Sequence, residues 1–490
     1  MEVFTMLHLT TALDPSSCTP LYEQLYQSLI TEMRTGTLPA GTRMPGKRSL
    51  AAELSVSVNT VDAAYQLLTA EGYLDSRARS GFYVQEYLTL PGRTENTPPV
   101  ESPKPQTPAA IPAAPSIQFD LSTGGVDTSL FPFRTWGRLQ KELLYSSPEL
   151  LMHGDAQGDE NLRVALAQYL EEYRGVRCGA HQIVVGAGLE YLLSLLAPLL
   201  HGVAALENPG YSRARRVLEN SGVVCRTIPV DEGGLSVQAL SATDATLCYV
   251  TPSHQFPTGV TMPAPRRAEL LHWAAQKPRE RYIIEDDYDS EFRFDTRPLP
   301  SLQGMAGADG PVIYFSTCSR SLAPGIRIAY MVLPEHLLPV WRRAYGSYAN
   351  TVSRFEQQTL ARFITEGYFS RHLARERVAY KTRRTLLASA LNEAFSPDSI
   401  RLRGLHTGLH LLMQLQTPNA PSDTVLAQFA RDEGIRLAPL SAYYTPDAQT
   451  PCPPSTLVLG YGALADSLCV PLASALNKAC ADACASSSGR

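Results

Sequence analysis

The sequence predicts a two-part α/β protein: a small N-terminal unit of three helices and a two-stranded ribbon, then a large unit built on a mostly parallel sheet. Three observations carry this. The chain has 490 residues, more than one ordinary domain holds. Between Leu90 and Ser116, eight prolines interrupt a run rich in Thr, Ala and Ser. Such a stretch has few backbone donors and no apolar period, so it reads as an extended, semi-stiff spacer. After Phe119, short apolar runs alternate with helix-length segments, the pattern of a sheet covered by helices. The expected parts are residues 1–89, a linker over 90–116, and residues 117–490, with a smaller α+β subdomain from roughly 370 onward.

Composition narrows the class. No run of about 18 apolar residues occurs, so no membrane span is expected. Met1–Pro20 lacks the basic start and apolar run of a secretory signal. The nine cysteines are odd in number and contain no CxxC pair, which suits free thiols and a cytoplasmic location. Cys480 and Cys484 stand one helical turn apart without a further ligand cluster, and no metal site is expected. The net charge of −4 specifies no partner.

In the first unit, Leu21, Leu25, Leu29 and Met33 recur at helical spacing up to Gly36. Ser49–Leu54 reads as a short second helix. Ser57 is a natural N-cap for a third helix, Val58–Glu71, whose apolar stripe is Val61, Tyr65 and Leu68, with Gly72 as its stop. Tyr73-Leu74 and Gly81-Phe82-Tyr83-Val84 read as short strands flanking a basic tip, Arg77 and Arg79. Three helices and a wing make a winged helix-turn-helix; a small helical dimerisation module would share the same pattern.

In the second unit, the apolar runs Ile183–Val185, Ala204–Leu206, Leu247–Val250, Tyr282–Ile284 and Val312–Phe315 suit buried parallel strands. Ligand sites in such sheets lie beyond the strand ends, and the chemically loaded segments fall there. The first run leads to Gly186-Ala187-Gly188-Leu189-Glu190, a turn opening a helix whose amides favour an anion. The second leads to Asn208-Pro209-Gly210-Tyr211-Ser212-Arg213, and the third to Ser253-His254-Gln255-Phe256-Pro257. The fourth leads to Asp286-Asp287-Tyr288, and the fifth to Thr317-Cys318-Ser319-Arg320-Ser321-Leu322, with Arg327 following.

These ordered segments carry a resemblance. Leu21–Tyr26, Leu38–Pro45 and Asn59–Leu74 resemble a GntR-type DNA-binding domain. The strand-end segments are similar to the pyridoxal-phosphate (PLP) site of fold-type I aminotransferases. Their fusion resembles the MocR/GabR subfamily, over nearly the whole chain apart from the linker and the C-terminal tail. The resemblance implies double-stranded DNA as a partner, a small-molecule effector of amino-acid or PLP type, and a homodimer. Ser57, Asn59 and Thr60 would face the major groove, and Arg43, Lys47, Arg48, Arg77 and Arg79 would hold phosphates. Asp286 would pair with the pyridinium nitrogen and Tyr288 would donate to the ring hydroxyl. Thr317, Ser319 and Arg327, with the Gly186–Ala187–Gly188 turn, would hold the cofactor phosphate. Tyr211 would lie near the ring. Arg213 would take a ligand carboxylate, unless it is a solvated helix charge beside Arg215 and Arg216. His254 is expected to be structural.

Four departures from the family pattern matter. Val58 and Gly46 stand where relatives of this type carry Arg and Ser. Residues 1–89 hold six basic and nine acidic residues, which predicts weak, salt-sensitive DNA binding. Leu457–Leu464 lacks a late basic residue for a substrate carboxylate. Most important, Arg320 occupies the place of the lysine that forms the Schiff base. An arginine stays protonated and is no amine nucleophile, so no catalytic residue is assigned, and Arg320 is expected instead to pair with the cofactor phosphate or a bound carboxylate. A regulator with a catalytically inactive sensor domain is the expected function. A PLP aminotransferase with an accessory domain, and a scaffold that has lost both chemistries, are the alternatives.

Overall fold

The computed structural model describes residues 13–78, 80–86, 116–295, 299–446 and 450–488. The chain divides into two compact units, Met1–Ile111 and Pro112–Arg490.

In the first unit, helices α1 (Leu21–Arg34), α2 (Lys47–Glu53) and α3 (Val58–Ala70) precede strands β1 (Leu74–Arg77) and β2 (Gly81–Val84). Leu25, Leu29 and Met33 on α1 meet Val61, Tyr65 and Leu68 on α3, and Leu50, Leu74 and Val84 close the core. Each fully buried leucine contributes about 1.5–3 kcal/mol, which is how so short a unit holds three helices together. Ser57 caps α3 by accepting from the Thr60 amide at 3.1 Å, and Gly72 leaves the helix at φ +79°. The strands pair antiparallel from Leu74–Val84 to Arg77–Gly81. Arg77 is therefore the last strand residue rather than part of the tip, and Arg79 lies outside the described residues.

The second unit opens with β3 (Phe119–Asp120) and continues with β4 (Ile183–Gly186), β5 (Val203–Asn208), β6 (Val224–Asp231), β7 (Gly234–Leu235), β8 (Leu247–Val250), β9 (Tyr282–Asp286), β10 (Val312–Thr317) and β11 (Ala329–Val332). These strands, β3 excepted, form one sheet in the order β4-β11-β10-β9-β8-β5-β6-β7. The inner pairs β10/β9, β9/β8, β8/β5 and β5/β6 are parallel; β11 runs antiparallel between β10 and β4. Helices bury both faces, so the five predicted strands are apolar along nearly their whole length. Strands β12 (Ile400–Arg403), β13 (His410–Leu415), β14 (Ile435–Arg436), β15 (Ala438–Pro439) and β16 (Thr456–Gly460) follow. The order β12-β13-β16-β15 makes a second sheet, packed with the helices Tyr368–Ala394 and Cys469–Ser488. β3 pairs in parallel with β14, so Phe119 and Leu121 belong to this second core although the rest of it lies far along the chain. The architecture is that of an aminotransferase-like α/β unit with a smaller α+β layer. Among the described residues, no helix is long and apolar enough to cross a membrane.

Candidate functional site

The five strand ends singled out in the sequence feed one cleft of about 340 Å³. Gly188, Tyr211, Arg213, Asp286, Tyr288, Thr317, Ser319, Arg320 and Arg327 all line it. Gly186 and Ala187 do not: the Ala187 amide donates to Thr351 Oγ1 at 3.1 Å, and its carbonyl accepts from Arg327 at 3.0 Å. The turn approaches Arg327 so closely that a Cβ on Gly188 would lie 2.2 Å from Nη2.

Asp286, the last residue of β9, is 4% exposed. Its Oδ2 accepts a hydrogen bond from the Tyr249 hydroxyl on β8, while Oδ1 has no partner among the described residues. Burial pushes its pKa up to about 7, and the Tyr249 bond offsets only part of that rise. Asp287, one residue on, goes the other way. Burial raises it, but the Arg174 guanidinium at 2.7 Å and the hydroxyls of Tyr314 and Ser290 hold it below the ordinary carboxylate range. Each carboxylate keeps one oxygen without a hydrogen-bond partner among the described residues, but Asp287 is ion-paired to Arg174 away from the cleft, while Asp286 lines the cleft with only the Tyr249 hydroxyl on it.

The Tyr288 hydroxyl donates to the His254 carbonyl at 3.1 Å, and burial raises its pKa. His254 is buried, with Nδ1 on Asp289 at 2.8 Å and Nε2 unpartnered among the described residues. His254, Asp289 and His410 bring potential ligand atoms within 4.8 Å of one another. The His254–Asp289 bond and a 3.0 Å bond from His410 to the Pro257 carbonyl already engage the cluster.

The corner after β10 is built differently. Thr317 Oγ1 and Ser319 Oγ lie 2.8 Å apart. Arg327 sits at φ +57°. Arg320 turns to the segment after β3, where its Nη1 donates to the Gly125 carbonyl at 3.3 Å and its Nη2 to the Thr123 carbonyl. No lysine is among the residues lining the cleft. Glu190, on the first turn of the helix Leu189–Leu196, is a residue that sequence reasoning passed over. Its carboxylate accepts from Tyr211 at 3.1 Å and lies 3.7 Å from Arg213 and 3.9 Å from Arg327. Thr123, Gly124 and Tyr443 also line the cleft and were missed, while Phe256 lies in a strand-end segment already singled out but given no role. Only the spacing of Glu190, two residues past Gly188 on an opening helix, could have flagged any of them.

In the first unit, Ser57, Val58 and Asn59 are exposed at the start of α3, and Thr60 is half-buried there. Arg43 and Arg48 are exposed; Lys47 is ion-paired with Asp62 and Arg77 with Asp75 at 3.0 Å.

Comparison with known proteins agrees with both halves. Residues 21–84 match the family "Bacterial regulatory proteins, gntR family". A Bacillus subtilis protein, "Uncharacterized HTH-type transcriptional regulator YdeL", is 36% identical over 91% of this chain and 94% of its own length. The "Probable rhizopine catabolism regulatory protein MocR" of Rhizobium meliloti is 34% identical over 92% of each chain. Among solved structures, the α-aminoadipate aminotransferase LysN of Thermus thermophilus, complexed with N-(5'-phosphopyridoxyl)-L-leucine, superposes with a TM-score of 0.65 and 26% identity. The match covers 75% of this chain and 93% of LysN. A gntR-family N-terminal domain joined to an aminotransferase-like unit, with regulators 34–36% identical over more than nine-tenths of the chain, identifies the chain as a member of the MocR-type HTH transcriptional regulators.

Proposed function

We propose that the aminotransferase-like unit of this regulator is a sensor that takes a PLP-type ligand, or a PLP–amino-acid adduct, without covalent attachment and without turnover. The observation that carries this reading is the pairing of a buried, unpartnered Asp286 Oδ1 in the cleft with Arg320 in the lysine's place. The residues fit the group. Asp286 would hold the ring nitrogen, Tyr288 the ring hydroxyl, and Thr317, Ser319 and Arg327 the phosphate, beside a turn that only glycine at 188 allows. When bound, the ring would supply an electron sink. A guanidinium at 320 accepts no carbonyl and moves no proton at neutral pH. Arg213, 73% exposed at the cleft mouth, suits a ligand carboxylate, with Glu190 competing for it.

Ser57, Asn59 and Thr60 on α3 are proposed to read the major groove, with Arg43 and Arg48 on phosphates. Lys47, Arg77 and Arg79 are proposed as further phosphate contacts, the first two weakened by Asp62 and Asp75. A homodimer held by the large unit, acting in the cytoplasm, completes the reading. Leu144, Tyr145, Leu151 and Met152 stand more than half exposed within nine residues, an apolar surface suited to a second copy. Mixing the full chain with PLP and then borohydride tests the sensor. The expected result is reversible binding with no reduced lysine in the cleft; a reduced pocket lysine, or steady transamination, would show an enzyme instead. Footprinting with the DNA upstream of the protein's own gene tests the regulator half.

A further inference from the structure

Arg320 is bonded to a particular piece of chain. Residues 121–127 form a strap laid along the smaller layer. The Leu121 amide donates to the Arg436 carbonyl and the Gly460 amide to the Leu121 carbonyl, both at 2.8 Å. At the far end the Asp127 amide meets the Tyr380 hydroxyl at 3.1 Å, and the Asp127 carboxylate meets Arg383 at 2.7 Å. The strap lies so close to the end of β16 that a Cβ on Gly460 would be 2.4 Å from the Ser122 carbonyl and one on Gly462 2.3 Å from the Gly125 carbonyl. Between these anchors, Arg320 holds it through the carbonyls of Thr123 and Gly125. Thr123 and Gly124 are also cleft walls. The strap follows, through β3, directly on residues 87–115, the stretch of chain that leads back to the winged helix.

We propose that Arg320 is the specificity-determining residue of the sensor: it reads a ligand's carboxylate and reports it by letting go of the strap. The inference rests on the reading that the cleft takes a PLP-type ligand. The Arg320 fork has two neutral carbonyl acceptors. A carboxylate brought into the cleft offers a planar, charged acceptor matched to the same fork, so a bidentate ion pair replaces bonds from the charged guanidinium to two separate neutral carbonyls. A ligand that carries the ring and phosphate but no carboxylate leaves the fork on the strap. The amino-acid adduct takes it off, and Thr123–Gly125 then keeps its end anchors, the Thr123–Tyr443 hydrogen bond and its packing against Gly462 and Ala463, but loses both guanidinium bonds. The differential contact that a ligand needs in order to shift a conformational equilibrium is thus one guanidinium with two alternative partners. A lysine at 320 would have been consumed by Schiff-base formation; an arginine stays available as a reversible contact in both states.

The test is hydrogen exchange of a peptide spanning residues 118–130 in the full-length protein, alone, with pyridoxamine phosphate and with N-(5'-phosphopyridoxyl)-L-leucine. Saturation by each probe is followed separately by calorimetry. The adduct is expected to speed exchange of this peptide about fivefold to tenfold, as loss of two hydrogen bonds implies, while pyridoxamine phosphate leaves it as in the free protein. Arg320→Gln is expected to exchange this fast with no ligand and to respond no further; Arg320→Lys, which lacks the fork, falls between. If the adduct saturates the wild type and exchange does not change, the coupling is wrong. If the strap of Arg320→Gln, folded by its melting curve, is as protected as in the wild type, the clasp is wrong. If neither probe binds the wild type, the reading of the cleft fails and the coupling falls with it, while the Arg320→Gln exchange still decides whether the clasp exists.

Discussion

The β8–β9 wall of the cleft and the corner after β10 differ in what their charged groups are doing. On the wall, Asp286 is buried, bonded once to Tyr249 and open on its other oxygen. In the corner, Arg320 donates to two backbone carbonyls and Arg327 is drawn toward Glu190 and the Ala187 carbonyl. The wall keeps a group whose burial is costly unless something cationic sits beside it; the corner holds a guanidinium bonded to backbone carbonyls where the proposed reading places the family's reactive amine. On the proposed reading, recognition and reaction are separable within one pocket: the wall supplies a ligand contact and the corner supplies no amine.

The largest expected effect comes from restoring the corner. Arg320→Lys should take the protein from no fixed cofactor to about one equivalent per chain, visible as a yellow species that survives gel filtration and is fixed by borohydride. A colourless variant would mean that the wall is as altered as the corner, and the contrast between them would vanish.

Altering the wall should cost less. Asp286→Asn removes the charge expected to face the ring nitrogen, and a hydrogen bond to a charged group is worth about 1.5–3 kcal/mol, so affinity for pyridoxamine phosphate should fall roughly 10- to 100-fold by calorimetry. Wild-type affinity in this variant would place the ring nitrogen elsewhere. The free protein should not be destabilised, because the substitution relieves a buried carboxylate.

The contrast also explains what the sequence could reveal. That the segments holding Asp286, Tyr288, Thr317, Ser319 and Arg327 meet in one cleft was legible because they lie at or beyond the ends of short apolar strands, and strand ends of a parallel sheet converge; the choice of these residues came from the family resemblance. The winged helix was legible from local signals, the α3 cap and Gly72. The strap was not: pairing β3 with β14 joins Phe119 to Ile435, a contact no local period encodes. Nor was β11, whose antiparallel insertion between β4 and β10 has the same apolar run as a parallel strand. Arg320 was identified as an obstacle to chemistry, with a cofactor phosphate or bound carboxylate as its expected partner. Its carbonyl partners instead come from the strap, so they were invisible for the same reason.

Outside the cleft, Val58 is, like Arg320, a position where the sequence reading expects the family to carry a different residue. It is 43% exposed at the start of α3, so arginine there needs no repacking. Val58→Arg should tighten DNA binding severalfold at low salt and steepen the dependence of log K on log salt by about 1, the signature of one added phosphate contact. Tighter binding with an unchanged salt slope would point to a base contact instead.

The smallest effect is the pH dependence of the wall itself. Burial raises the carboxyls of Asp286, Glu207, Glu285 and Glu291 each to about 7. Unfolded, they titrate near 4, so between about pH 4 and 7 the unfolded chain releases protons that the folded chain retains. Their contribution to stability is then fully present below the unfolded values and is lost as pH rises through 7. The melting temperature of the large unit should accordingly fall between pH 6 and pH 8, on the order of 2–4 °C. Asp286→Asn should flatten that slope, and so should saturating pyridoxamine phosphate in the wild type, because a cationic ring nitrogen beside Oδ1 makes the ionised carboxylate the favoured form. Flattening by the substitution but not by the ligand would show that the ligand leaves Asp286 unpartnered. A slope that neither changes would assign the pH dependence to the three glutamates.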